Sequence, residues 1–384
     1  MQVKELENHQ VSTNIPHIGA LDDLRGIAAL MVFFAHVVHN LTRGVDASMG
    51  AWLRPNNPLF AILAEGHAGV SLFMVLSGFL FAYGAHGSEV RYWRFVRNRI
   101  LRIYPMYLFL LFFAAYSSPS QFSFESFIAS AVLFSNTGDA LKDIGFTALL
   151  WTISVEFLFY LIFPFLNRFK NAFGVEYLFR LLVLLIILRY LAIGLGASAR
   201  DISYFTIVGR IDQFLIGMIV ASLYREGRFK LKYPRRCLTG SIVLVLLSQF
   251  ALNRTGGWIQ DAEWKGIWHT YEAVIFSALI ITYLFSYSAL NARYKSLMAR
   301  IGLVSYSIYL LHMPVLLLLQ RKHWYAKVTG NLYWDALITA CYLFPVVFLL
   351  SSATYELIEK PFMGFRTRYL APLGTKEIGI RNPA

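Results

Sequence analysis

The sequence predicts an all-α fold, a polytopic membrane helix bundle of about ten transmembrane helices. Three observations predict it. Of 384 residues, 57% are hydrophobic and only 15% charged, with a positive mean hydropathy, which is remote from a soluble domain of this length. The chain also divides into runs of the roughly 17–25 apolar residues that cross a hydrocarbon core. Finally, Lys and Arg concentrate in alternate connections between those runs.

The runs fall at 24–41, 67–84, 103–118, 149–166, 178–196, 204–223, 237–252, 271–290, 302–320 and 335–356. The segment FESFIASAVLFSN, 124–136, is too short to cross and is expected to lie at the interface or to re-enter. The first twenty residues are polar and lack an apolar run ending in small residues, so the N-terminus is expected to stay in the cytoplasm. With that orientation, 24 of the 35 Lys and Arg fall on cytoplasmic pieces and Arg210 is left inside a span. The outer pieces take about 10 of the remaining 11, a count that includes Arg189 although it falls within the run at 178–196. Both ends are then cytoplasmic, in an inner-membrane, multi-pass topology: a polar tail at 1–20, one membrane domain at 21–362 and a second tail at 363–384. The positive-inside pattern accounts for the net charge of +13 without nucleic acid as a partner. Trp52, Trp93, Trp151, Trp258, Trp264, Trp268, Trp324 and Trp334 mostly fall near span ends, as an aromatic belt does. Cys237 and Cys341 lack metal-ligand spacing, so neither a metal site nor a disulfide framework is expected.

Polar residues inside the spans carry the functional signal, because ionisable groups are costly in lipid and normally face a bundle interior or a water-filled cavity. In LDDLRGIAALMVFFAHVVHN, Arg25 and His36 stand eleven residues apart, on nearly one helix face and about 16 Å apart along the axis. Arg25 alone reads as an anchor, with Asp22 as a partner, and His36 alone as an interhelical hydrogen bond. Glu156 in LLWTISVEFLFY, Arg210 and Asp212 in YFTIVGRIDQFLIGM, and His312 in GLVSYSIYLLHMPV reach a middle or outer depth on three further spans. In RYWRFVRNRILRIYP, Arg99 and Arg102 share a face at i and i+3 and can grip phosphate with forked guanidinium groups. Ser77 and Gly78, in VSLFMVLSGFLF, read either as close helix packing or as room for a slender ligand.

Taken in order, Arg25 with His36, LFMVLSGFL, RILRIYPMY, LWTISVEFLFY, GRIDQFLIGM, SYSIYLLHMP and IEKPF resemble the acyltransferase 3 family of membrane O-acyltransferases, from residue 21 to residue 362. Two positions depart from its commoner forms: Asp23 stands where Gly or Ser is frequent, and Phe157 where a second acid is frequent. The resemblance implies ten core helices and a donor such as acetyl-CoA entering from the cytoplasm. It implies an acceptor hydroxyl beyond the membrane, usually on a surface polysaccharide, lipid-linked precursor, peptidoglycan or periplasmic glucan, with small molecules such as macrolides in some relatives. The chain looks like the stand-alone form, without an added extracytoplasmic esterase-like domain.

Acyl transfer needs a base, a grip on the charged donor and a stabiliser for the developing oxyanion. The expected catalytic residues are His36 as general base and Glu156 as the group that orients or tunes it. Arg99 and Arg102 are expected to hold CoA phosphates, Arg25 to guide the pantetheine arm inward, and Ser77 to line its path. Arg210 or His312 is expected to stabilise the oxyanion or bind the acceptor, with Trp151 also on the acceptor side. The competing class is a secondary transporter or flippase for an anionic or glycolipid substrate, which also uses ionisable residues at mid-depth; the second half of the chain does not repeat the motifs of the first.

Overall fold

The computed structural model describes residues 14, 15, 17–43, 54–133 and 146–373, and these form a helical bundle with a single two-stranded ribbon. In order, the helices are α1 (Gly19–Arg43), α2 (Pro58–Ala64), α3 (Ala68–Gly84), α4 (Tyr92–Ser117), α5 (Phe124–Ala131), α6 (Trp151–Phe173) and α7 (Val175–Gly194). There follow α8 (Ala199–Phe205), α9 (Ile207–Arg225), α10 (Pro234–Arg254), α11 (Trp268–Ser286), α12 (Ala292–Leu303), α13 (Ser305–Arg321), α14 (Leu332–Thr354) and α15 (Lys360–Met363). Strand β1 (Ser88–Val90) pairs antiparallel with β2 (Leu370–Pro372).

Each of the ten expected spans falls mainly on one helix, although 204–223 also takes in the end of α8 and 302–320 the end of α12. Eight are long and apolar enough to cross a membrane alone; α3 and α13 qualify only together with α2 and α12, from which they are bent by 75° and 69°. The bundle has a centre and a rim. In α9, 67% of the apolar window is buried, against 17% in α7, whose Phe179, Leu184, Ile187 and Leu191 point outward to lipid. A lipid-facing helix shows its apolar side chains to a solvent that is itself apolar, so this exposure costs nothing in a bilayer. The third span begins earlier than expected: α4 starts at Tyr92, and the arginine-rich stretch expected as a loop forms its first three turns. Of the short segment, α5 covers eight residues, about 12 Å of helix, which does not cross; its last three residues, 134–136, lie outside the described residues.

Two expectations are corrected. Arg189 is not an outer charge: it is fully buried in α7, donating to Asp212 at 3.1 Å and to the carbonyls of Gly266 and Val208. Both terminal nitrogens are met there by one carboxylate and two carbonyls, which makes the burial tolerable, while Nε is left without a partner among the described residues. Trp93, Trp264, Trp324 and Trp334 are exposed, but Trp151 and Trp258, expected in the aromatic belt, turn inward onto Tyr204 at 5.0 and 4.6 Å between ring centroids. Trp52 and the tail residues 1–13, 16 and 374–384 lie outside the described residues.

Helices α3 and α9 approach so closely that a Cβ on Gly78 would stand 2.1 Å from the Phe214 carbonyl oxygen, and one on Gly217 2.3 Å from that of Val75. Small residues permit this backbone contact in the absence of a hydrophobic drive between helices in lipid. Gly78→Val is therefore expected to abolish the folded, monodisperse protein in detergent, whereas Gly240→Ala, at an open position with nothing within 4 Å, leaves the elution profile and thermal midpoint unchanged. A Gly78→Val protein that elutes and melts like the parent would show that this contact does not hold α3 against α9.

Candidate functional site

A cavity of about 220 Å³ enters the bundle from the end at which α1 begins. Its outer wall carries Arg99 and Arg102 from α4, Arg25 from α1, and Arg366 and Tyr369 from the segment after α15. Deeper in, it is lined by Ser77, Glu156 and Tyr160, and its inner end by Val70, Thr152 and Tyr309. Along α3 the distance from Phe81 to Val70 is eleven residues, or about 16 Å, so the cavity reaches well into the membrane. Five sequence-predicted residues, Arg25, Ser77, Arg99, Arg102 and Glu156, thus meet in one space, although four different helices supply them.

The four arginines are not equivalent. Arg99 lies over the rings of Phe81, Phe95 and Tyr160 at 5.0, 5.4 and 5.8 Å, and its buried Nε has no hydrogen-bond partner. A caged guanidinium with unused donors suits an incoming anion. Arg102 is already engaged: it donates to the fully buried Glu359, which also accepts from Ser307. The carboxylate takes up the fork that the i, i+3 spacing assigned to phosphate. Arg25 makes only a long contact of 3.8 Å to Asp22, whose other oxygen is 2.6 Å from His17 Nε2. Arg366 lies beyond the expected membrane domain, and its residue neighbours carry no periodic signal in the sequence. Burial lowers its pKa to about 10, with the charges of Arg99 and Arg102 adding to the effect.

Glu156 does not orient His36. It accepts from the Ser77 hydroxyl at 2.9 Å and from the Tyr160 hydroxyl one turn away on α6. The partner of His36 is His312: His36 Nδ1 and His312 Nε2 are 3.1 Å apart, and the rings lie 5.0 Å apart. Hydrogen bonding assigns the tautomers. His312 Nδ1 stands 3.0 Å from the carbonyl of Ile308, which can only accept, so that nitrogen carries the proton. In a neutral ring its Nε2 is then the acceptor for His36 Nδ1–H, which leaves a lone pair on His36 Nε2. His312 is 1% exposed with both nitrogens engaged, whereas His36 keeps accessible surface. The interhelical hydrogen bond and an unused ring nitrogen therefore belong to the same residue. Neither histidine lines the cavity; Tyr309 stands next to the pair, lining the cavity's inner end, accepting from Thr152 at 2.8 Å and packing 6.0 Å from His312, one turn along α13.

Arg210 and Trp151 do not reach the cavity. Arg210 is fully buried, donating to the Tyr204 carbonyl at 2.8 Å and to Ser71 at 3.1 Å, with its guanidinium 4.4 Å over the Tyr204 ring and 5.5 Å over Trp151. Ser71 in turn donates to Glu272, and Glu272 lies 2.9 Å from His269 Nδ1. This network ties α3, α8, α9 and α11 together, and its polar side chains are buried among the described residues. The two departures from the family pattern are accommodated locally: Asp23 is buried and accepts from Tyr283 at 2.8 Å, and Phe157 packs edge-on to Tyr104.

Over residues 18–356 the chain matches a family described as the Acyltransferase domain. It is similar to the O-acetyltransferase OatA of Staphylococcus aureus (strain NCTC 8325 / PS 47), 24% identical over 407 residues that cover 97% of this chain and 62% of that protein. It is also similar to the acyltransferase MdmB of Streptomyces mycarofaciens, 27% identical over 161 residues covering 39% of each. The chain therefore spans about 62% of the length of the staphylococcal relative. No solved structure matches it.

Proposed function

The chain belongs to the acyltransferase 3 family, and on that premise we propose that it is a membrane O-acyltransferase moving an acyl group, foremost acetyl, from cytoplasmic acyl-CoA to a hydroxyl of an extracytoplasmic or lipid-linked glycan. One observation carries the reading: a cavity with arginines at its mouth runs inward to Tyr309, which packs against His312, the partner of His36. A nucleotide thioester has that shape, with phosphates at one end, a slender neutral arm, and the reactive carbonyl at the other end. Arg99 and its neighbours hold the phosphates, Arg25 and Ser77 flank the arm, and the thioester lies toward Tyr309.

In the transfer, His36 Nε2 takes the proton of the acceptor hydroxyl as its oxygen attacks the thioester carbonyl. The imidazolium is stabilised by His312 Nε2, which accepts from His36 Nδ1–H. Collapse of the tetrahedral adduct breaks the C–S bond, and the proton held by His36 passes to the departing thiolate, so that CoA leaves as the thiol. Glu156, between Ser77 and Tyr160, acts on the arm region and not on the base.

The test is CoA release by the purified protein from acetyl-CoA, with and without candidate glycans. Release that depends on a glycan supports the reading. Movement of a glycolipid into vesicles without any CoA release would transfer the site to the transporter class.

Both ends of the described chain lie on one face: Asn14 bonds the carbonyl of Thr367 and the amide of Tyr369. Together with the distribution of Lys and Arg, this supports a cytoplasmic location for that face. Cysteines placed at the exposed Gln260 or Asp261, in the connection between α10 and α11, are then expected to react with an impermeant reagent from outside intact cells. Reaction only after permeabilisation would reverse the topology.

A further inference from the structure

Residues 364–373, expected as part of a cytoplasmic tail, instead fold back across the cavity mouth as a strap. Asn98 clamps it at both polar groups of one residue, donating to the Thr367 carbonyl at 2.7 Å and accepting from the Thr367 amide at 3.0 Å. Asn14 repeats the grip on the same carbonyl and on the Tyr369 amide at 2.6 Å. The Arg91 amide donates to the Tyr369 carbonyl, the Tyr369 ring packs edge-on to Phe95 at 5.1 Å, and β2 pairs with β1. So many fixed bonds in ten residues place two side chains, Arg366 and Tyr369, in the cavity wall.

Arg366 spends one donor on its own segment, Nε to the Met363 carbonyl at 3.0 Å, and its terminal nitrogens have no partner among the described residues. Arg99 is similarly unpaired, and Arg102 is held by Glu359. Two half-buried cations that repel each other and share no carboxylate are stabilised by an anion placed between them. We infer that Arg366, carried by the strap, forms with Arg99 the binding site for the phosphate groups of the donor nucleotide. The inference rests on the acyl-CoA reading above, and it assigns a donor-binding residue outside the segment that matches the family. The strap thereby gives the site its preference for a phosphorylated carrier over the bare arm.

Titration calorimetry of the whole protein in detergent with CoA, and with pantetheine, which lacks the phosphates, tests it without knowledge of the acceptor. Arg366→Ala is expected to weaken CoA binding roughly tenfold to hundredfold, the worth of a charge-assisted hydrogen bond, and to leave pantetheine binding unchanged. Arg99→Ala should do the same, and Arg366→Lys should recover part of the loss, since a point charge lacks the fork. Asn98→Ala, which unclamps the strap, should lower the CoA-to-pantetheine ratio without touching either ligand directly. If the parent binds CoA and Arg366→Ala binds it equally well, or loses both ligands alike, the inference fails while the acyl-CoA reading stands. If the parent binds no CoA, both fail.

Discussion

His36→Gln is expected to leave a folded protein that still binds donor but transfers acyl groups about 10²–10⁴-fold more slowly, the usual worth of a positioned base. Glutamine keeps a polar side chain of similar reach and can still bond His312 across the helices, so packing is retained while the basic lone pair of Nε2 is lost. His312 offers the matching contrast. Its role is to accept from His36 Nδ1–H and so hold the tautomer. His312→Gln presents an amide oxygen where Nε2 stood and is expected to keep much of the activity, whereas His312→Ala frees the ring of His36 and should lose most of it. Initial rates of CoA release at matched protein amounts decide the matter. Fast turnover by well-folded His36→Gln, with His312→Gln inactive, would exchange the roles of the two histidines.

Arg102→Ala is expected to act on stability before it acts on the donor. It leaves the fully buried Glu359 without its counter-charge, and breaking a buried pair by removing one member costs about 3–5 kcal/mol. A lowered thermal midpoint in detergent and poor yield should follow. The double variant Arg102→Met with Glu359→Gln removes both charges, lets Ser307 keep a bond to the amide, and should recover most of the midpoint. A single Arg102→Ala protein with the parental midpoint but weakened CoA binding would return Arg102 to the phosphate site and leave Glu359 a lesser role.

The spans, their number and the presence of an unusual polar set were legible because each depends on a local quantity. Whether a helix crosses is set by its own length and its own transfer free energy, and a charge in the wrong solvent stands out wherever its partner lies. Ser77 and Gly78 show how far that goes. The pair was open to two readings, and the structure uses both, with Ser77 bonded to Glu156 in the cavity and Gly78 against Phe214. One helix presents the two residues to different neighbours, which a single-sequence reading cannot distinguish.

The sequence by itself determined the class of fold, the face of α1 that joins Arg25 to His36, and which side chains had to be sheltered from lipid. Only the tertiary structure decided who shelters whom. His36 meets His312 across 276 residues of chain, and Arg102 meets Glu359 across 257, while Arg189, counted as an outer charge, lies in the core against Asp212. The strap that carries Arg366 has no hydropathy or periodicity of its own and is placed by backbone bonds to Asn98, Asn14 and β1. The physical reason is one of range. Solvent transfer acts on each residue separately and is written into local composition, whereas a buried charge can be satisfied by any of several partners, and packing selects among them only once the helices have met.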